Sequence, residues 1–153
     1  MACESEDEPT AQDATGLDNP ITLIFDTDIF GSCDNTVTLQ NIDMTISSYP
    51  GAQCFYEIAS FRGEFDGLVL APAQIVVDFS ELNDPSKVSV SIVDACGTSC
   101  TFVQVFKDGE EVFKQTVSAT SQLEVITVDL TALGANTLSF TSGEGFLKEI
   151  VFE

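Results

Sequence analysis

Short runs of alternating apolar and polar residues follow one another along most of the chain. From Ile21 onward the runs are separated by Gly, Asn, Asp and Ser, and none has the spacing of an amphipathic helix. A period of two predicts strands with one buried face. The apolar rows are Val37 and Leu39; Ile42, Met44 and Ile46; Ile75, Val77 and Phe79; Val88, Val90 and Ile92; Ile126, Val128 and Leu130; and Phe146, Ile150 and Phe152.

Three interruptions of this pattern carry local information. Asp108-Gly109 lies between two apolar runs and supplies the positive φ that a tight hairpin turn needs. Asn41 shifts the alternation by one residue, which predicts a bulge or a bend. Lys148 is the exception in the row that begins at Phe146.

Strands at intervals of about ten residues, bounded by turn residues, are typical of an antiparallel sandwich or barrel. We therefore predict an all-β domain with about eight to ten strands over residues 21–153. Residues 1–20 contain six acids, no base and almost nothing to bury, which predicts a disordered acidic tether.

The charge and the residue types exclude several functions. Twenty-five acids against five bases give a net charge of −20, which repels nucleic acids and anionic membrane surfaces, so we expect neither partner. The chain has no His, which excludes His-based catalytic triads and metal sites that need a His ligand. Glycoside hydrolysis needs only two carboxylates, but so small a domain without Trp is a poor candidate, and we predict no catalytic activity.

Four cysteines lie inside the predicted domain. Zinc would need all four thiolates, and their spacing lacks the paired C-x2-C pattern, so disulfides fit better. Of the three connectivities we favour Cys33 with Cys54, and Cys96 with Cys100 around a three-residue loop. Buried reduced thiols are the alternative. Two disulfides would indicate an oxidising compartment and would leave Cys3 without a partner.

Acidic pairs suggest a cation site. Asp26 and Asp28 lie on one face of an extended segment, and Asp34 follows in the next turn. Glu64 and Asp66 form a similar pair. Hard cations take six to eight oxygens, so Asp26, Asp28, Asp34 and Asp66 are candidate ligands of a structural Ca²⁺. The alternative is solvated acids at strand ends.

A second candidate site is aromatic and basic. Tyr49 lies at the tip of an apparent turn, Tyr56 follows, and Arg62 is the only arginine. Tyr can stack on a sugar, and Arg can bridge hydroxyls or a carboxylate. We name Tyr49, Tyr56, Arg62 and Glu64 as candidate ligand-binding residues. The alternative for both tyrosines is partly buried packing.

Segments along the chain resemble galactose-binding-like jelly rolls. They are NIDMTISS, VVDFSELNDPSKVSVSIVDACG, VQVFKDGEEV and ITVDLTALGANTLSFTSGEGFLKEIVFE, and the likeness covers residues 21–153. The resemblance implies a two-sheet jelly roll of the type used in carbohydrate-binding modules and extracellular adhesive domains, often with a structural calcium ion. It implies no catalytic residues and no particular binding residues.

The start of the chain resembles another class. Cys3 followed by Glu4-Ser5-Glu6-Asp7-Glu8 resembles the N-terminus of a mature bacterial lipoprotein, and its acids resemble the export signal of Bacteroidetes surface lipoproteins. On this interpretation Met1-Ala2 replace a signal peptide, and the membrane is met only through a lipid on Cys3. The alternative is an unmodified cysteine in an acidic tail.

Together these features predict a lipid-anchored protein of the outer membrane or cell surface. Its domain would be a non-catalytic extracellular binding or adhesion module, and an extracellular glycan is the ligand class we favour. The alternative is a structural protein that assembles with other surface proteins through its sheet edges or faces.

Overall fold

The computed structural model describes residues 17–48 and 51–153, and these form strands and turns only. Within these two ranges no helix is long and apolar enough to cross a membrane. The twelve strands among the described residues are β1 (Ile21–Ile24), β2 (Thr36–Leu39), β3 (Ile42–Ser48), β4 (Tyr56–Phe61), β5 (Phe65–Leu70), β6 (Ala73–Asp78), β7 (Lys87–Asp94), β8 (Thr101–Lys107), β9 (Glu110–Thr116), β10 (Glu124–Asp129), β11 (Thr137–Ser142) and β12 (Gly145–Phe152).

The strands form two antiparallel sheets of six strands each. The first sheet has the order β10-β7-β12-β5-β4, and β1 pairs with the second half of β12. The second sheet has the order β2-β3-β6-β11-β8-β9. A single hydrophobic core lies between them, so the predicted all-β sandwich is confirmed.

The count of twelve exceeds the predicted eight to ten because some strands lack a clean alternation. In β5, Gly67 and Leu68 are consecutive buried residues, and in β11 Leu138, Ser139 and Phe140 are all buried. Strands buried on both faces lose the period-two signal.

The core consists largely of the predicted apolar rows. Ile42, Met44 and Ile46 of β3 are fully buried, and so are Val88 and Val90 of β7. Burying one such side chain contributes about 1.5–3 kcal/mol, so these rows fix which face of each strand points inward.

Strand β12 corrects one predicted row. A register shift between Leu147 and Glu149 forms a bulge at Lys148. The bulge changes which side chains point inward, so Leu147 is fully buried in the core and Phe146 faces outward. Phe146 was therefore wrongly assigned to the inward row.

The two predicted turns have different outcomes. Asp108 and Gly109 have φ angles of 49° and 86° and connect β8 to β9, so the hairpin is confirmed. At Asn41 the chain reverses fully. Gln40 and Asn41, at φ 52° and 66°, join β2 to β3 as a two-residue hairpin, so the predicted bulge or bend is wrong.

The first described residues already contact the domain. Leu17, inside the segment predicted as a tether, is partly buried against the core, and β1 begins at Ile21. Cys3 and Tyr49 lie outside the described residues. Both predicted disulfides, Cys33–Cys54 and Cys96–Cys100, are bonded in the structure.

Candidate functional site

Asp28 and Tyr56 were predicted for different sites, and the structure brings them together. Asp28 lies in the loop between β1 and β2, where its Oδ1 accepts hydrogen bonds from the backbone N–H groups of Phe30 and Gly31 at 3.0 and 3.1 Å. The Tyr56 hydroxyl donates to the same oxygen at 3.4 Å. The Phe30 and Tyr56 rings pack edge to face at 5.8 Å. We call Asp28, Phe30 and Tyr56 the loop site.

The environment of Tyr56 changes its acidity. Partial burial disfavours the phenolate, and the negative charge of Asp28 and its hydrogen bond act in the same direction, so the pKa of Tyr56 is raised above its ordinary value of 10.0. Tyr56 packs against the hydrophobic core as well as against Phe30. Its ring is therefore partly buried packing, and its hydroxyl is engaged with Asp28.

The Cys33–Cys54 disulfide holds the loop site in place. It joins the β1–β2 loop to the residues just before β4, which contains Tyr56. Phe55, between Cys54 and Tyr56, is 49% exposed. A cross-link at this point restrains Asp28 and Tyr56, which are 28 residues apart in the sequence, near one another.

The four predicted calcium ligands are not gathered into one site. Among the described residues, only Asp94, Cys96 and Cys100 form a group of three potential ligands whose atoms lie within 4.8 Å of one another, and both sulfurs there are in a disulfide. Asp66 lies on β5 of the first sheet, whereas Asp26, Asp28 and Asp34 lie in the β1–β2 loop. A calcium ion at any one of these aspartates would need backbone carbonyl oxygens or water as its other ligands.

Arg62 and Glu64 lie at the opposite end of β4 from Tyr56. At about 3.3 Å per residue, the strand separates Tyr56 from Arg62 by about 20 Å. Arg62, Gly63 and Glu64 form the turn to β5, with φ angles of 56° and 73° at Arg62 and Gly63. Of the predicted ligand-binding residues that the structure describes, Tyr56 therefore lies apart from Arg62 and Glu64.

Three phenylalanine rings pack beside Arg62 on the outer face of the first sheet. Phe61 and Phe65 are opposite each other in β4 and β5, with ring centroids 5.4 Å apart, and Phe61 lies 4.8 Å from Phe146 of β12. The Arg62 guanidinium carbon lies 4.8 Å from the centroid of Phe61, and Lys148 Nζ lies 5.5 Å from that of Phe65. We call these five residues the aromatic face.

Strand geometry explains why these rings point away from the core. Phe61 is buried but is not part of the core cluster, and Phe65 alternates with the inward Leu68 and Leu70 along β5. Gly67 lies between Phe65 and Leu68, and a Cβ atom at Gly67 would come within 3.4 Å of the Phe65 ring. The absent side chain leaves room for that ring, and Phe65 remains only partly buried.

The aromatic face was only partly recognised from the sequence. Arg62 was singled out, but Phe61, Phe65, Phe146 and Lys148 were not. Two phenylalanines on either side of a three-residue turn are a usable signal, because paired positions of a hairpin share a face. Phe146 gave no such signal, because the bulge at Lys148 makes its side chain face outward, whereas the alternation along the strand predicted an inward position.

Comparison with known proteins identifies the fold. No protein-family model and no curated protein sequence matches the chain. Among solved structures, the cleaved adhesin domain K2 of Lys-gingipain has a TM-score of 0.56 at 15% identity, covering 88% of this chain and 99% of its own. The K1 adhesin domain of Lys-gingipain from Porphyromonas gingivalis has a TM-score of 0.55 at 12% identity, with coverage of 88% and 98%.

A carbohydrate-binding module from Clostridium stercorarium, solved with cellobiose, has a TM-score of 0.43 at 13% identity, with coverage of 71% and 92%. The two adhesin domains, whose TM-scores exceed 0.5, share the overall fold of this chain. The predicted all-β sandwich of two antiparallel sheets is therefore confirmed as the fold.

Proposed function

We propose that the domain is a non-catalytic extracellular binding or adhesion module whose ligand is a glycan. The observation that carries the proposal is the aromatic face. Phe65 and Phe146 are partly exposed on an outward sheet surface, each ring packs against Phe61, and Arg62 and Lys148 lie against the cluster. Aromatic rings pack against the apolar faces of sugars, and cationic side chains donate hydrogen bonds to sugar oxygens.

The cellular location is part of the same proposal. Two disulfides in one small domain favour an oxidising compartment outside the cytosol. We further propose that Cys3 carries a lipid and that residues 1–20 tether the domain to the outer membrane or cell surface. Mass spectrometry of the protein from its native membrane tests the anchor, because an unmodified Cys3 peptide would contradict it.

A glycan array screened with and without calcium tests the ligand class. We expect the wild-type domain to bind, and Phe65→Ala and Phe146→Ala each to weaken binding by at least about tenfold, as removal of a stacking ring does at hot spots. Phe102→Ala is the matched control, since that ring lies under Lys114 on the second sheet. Binding that survives both substitutions on the aromatic face would place the ligand elsewhere. Calcium-dependent binding would support the proposed Ca²⁺.

An interaction protein is the second candidate. Ile24 of β1 and Val125 of β10 are 55% and 60% exposed. They lie on one row across the first sheet, with Glu149 and Ser91 between them. Exposed apolar groups on one face favour contact with another protein. A concentration-dependent oligomer in light scattering, together with an array without any bound glycan, would favour this function over glycan binding.

A further inference from the structure

Basic residues are scarce in this chain, and their placement is uneven. The five bases are outnumbered by 25 acids. Arg62 and Lys148 both lie over the aromatic face, although they are far apart in the sequence. Lys87 forms an ion pair with Glu153 at 3.4 Å, and Lys114 lies over Phe102 on the other sheet. Two of five cations therefore converge on one small aromatic surface.

Neither of these two residues forms a salt bridge within the described part of the domain. The pair Lys87–Glu153 is the only salt bridge within 4.0 Å among residues 17–48 and 51–153. Glu64, in the same turn as Arg62, makes no such pair with it. In a chain with so many acids, two cations held over phenylalanine rings and not paired with a described carboxylate can receive an anion from outside.

We propose that the aromatic face recognises an anionic glycan, one whose sugars bear a uronate carboxylate or a sulfate ester. This inference rests on the proposed function, glycan binding, and specifies its ligand class. Arg62 can bind such a group with two parallel hydrogen bonds, Lys148 contributes a second positive charge, and the partly exposed rings of Phe65 and Phe146 hold the sugar.

The rest of the domain limits how many charges the ligand carries. A net charge of −20 repels a dense polyanion at long range, whereas a single acidic group held against Arg62 and Lys148 interacts at short range. The glycan that fits this surface therefore bears isolated acidic sugars among neutral ones. Glu64 lies two residues after Arg62, in the same turn, so its negative charge opposes the bound anion.

Paired ligands test this inference separately from glycan binding itself. The array carries uronate-bearing oligosaccharides beside their carboxyl-reduced counterparts, and sulfated oligosaccharides beside their desulfated counterparts. We expect an acidic form to bind at least about tenfold more tightly than its neutral counterpart, as expected for a charge-assisted hydrogen bond. The uronate and sulfate arms show which anion is recognised.

The variants locate the effect. Arg62→Gln and Lys148→Gln are each expected to lower the affinity for the acidic form by at least about fivefold more than the affinity for the neutral form. Lys114→Gln is the matched control, because it removes a lysine over a phenylalanine, at 4.7 Å, from the other sheet. Glu64→Gln is expected to increase the affinity for the acidic form. Arg62→Lys, which keeps the charge, is expected to retain part of the preference.

The outcomes separate the two claims. Equal binding of acidic and neutral counterparts overturns the anionic preference and leaves glycan binding in place. A preference that Arg62→Gln and Lys148→Gln do not reduce overturns the assignment to the aromatic face. Absence of binding to every oligosaccharide overturns both the inference and the proposed function. Thermal unfolding of each variant shows that the domain is intact.

Discussion

Asp94 is a buried carboxylate that organises the loop closed by Cys96–Cys100. Its Oδ1 accepts a hydrogen bond from Cys96 N at 2.9 Å, and its Oδ2 accepts from Cys100 N and Thr101 N at 2.8 and 3.0 Å. These three backbone N–H groups satisfy the carboxylate of Asp94, whose burial without hydrogen bonds would be strongly unfavourable. An Asp two residues before a Cys-x3-Cys loop is a sequence signal for a carboxylate that accepts hydrogen bonds from the loop.

Replacing Asp94 with Asn tests this role. The Asn amide has one oxygen, so an N–H group of the loop would face another donor, and we expect a loss of about 1–3 kcal/mol in the free energy of unfolding. Urea denaturation measures this loss in the free energy of unfolding. Asp78→Asn is the control, because Asp78 uses only Oδ1 toward the N–H and hydroxyl of Ser80, and an Asn oxygen can replace it. A similar loss in both variants would contradict the role of the second oxygen.

The raised pKa of Tyr56 makes a second prediction for a single residue. Burial is the largest cause of the raised pKa, and the charge of Asp28 is the second. Asp28→Asn should therefore lower the Tyr56 pKa without returning it fully to 10.0. Absorbance of the phenolate during alkaline titration measures it, in a Tyr49→Phe background that leaves one tyrosine.

The sign of the linked stability effect follows from the direction of the shift. Because the folded state holds the Tyr56 hydroxyl proton more tightly than the unfolded state, the contribution of this proton to the free energy of unfolding is complete below the pKa of Tyr56 in the unfolded chain. This contribution is lost as the pH rises through the pKa of Tyr56 in the folded state. An unchanged Tyr56 pKa in Asp28→Asn would contradict the contact between the two side chains.

At the scale of elements, the two disulfides constrain chain segments of different lengths. Cys33–Cys54 has a sequence separation of 21 and connects a long loop to the residues just before β4, whereas Cys96–Cys100 has a separation of 4. The chain-entropy model gives about 3 kcal/mol for the first and about 2 kcal/mol for the second. We therefore expect Cys33→Ala/Cys54→Ala to lower the urea midpoint more than Cys96→Ala/Cys100→Ala. The reverse order would indicate that the loop around Asp94 depends on its cross-link.

The elements also show how far the sequence predicts the structure. Rows with a strict period of two, such as Val88, Val90 and Ile92, identify both the strand and its buried face, because each inward position gains by burial. Strand β12 could not be assigned in this way, because its inward positions change at Lys148, and a bulge depends on the two strands beside it. Two of the five residues of the aromatic face, Phe146 and Lys148, depend on that bulge, so this site could not be assembled from local sequence.

For the whole molecule, negative charge is the dominant long-range property. Subtracting the six acids of residues 1–20 from 25 leaves 19 acids against five bases in the predicted domain. Only one salt bridge forms among the described residues. Like charges on a compact domain repel one another and favour the unfolded chain, in which they are farther apart.

Salt should therefore stabilise this domain. Raising NaCl from about 10 mM to about 0.5 M shortens the screening length from about 30 Å to a few ångströms, so we expect the urea midpoint at pH 7 to rise. MgCl2 and CaCl2 at matched ionic strength then separate screening from binding. A further rise with calcium alone, lost in Asp28→Asn, would support a structural calcium ion at the loop site. A midpoint that falls with NaCl would mean that attractive charge contacts outweigh the repulsion, contrary to the single salt bridge found.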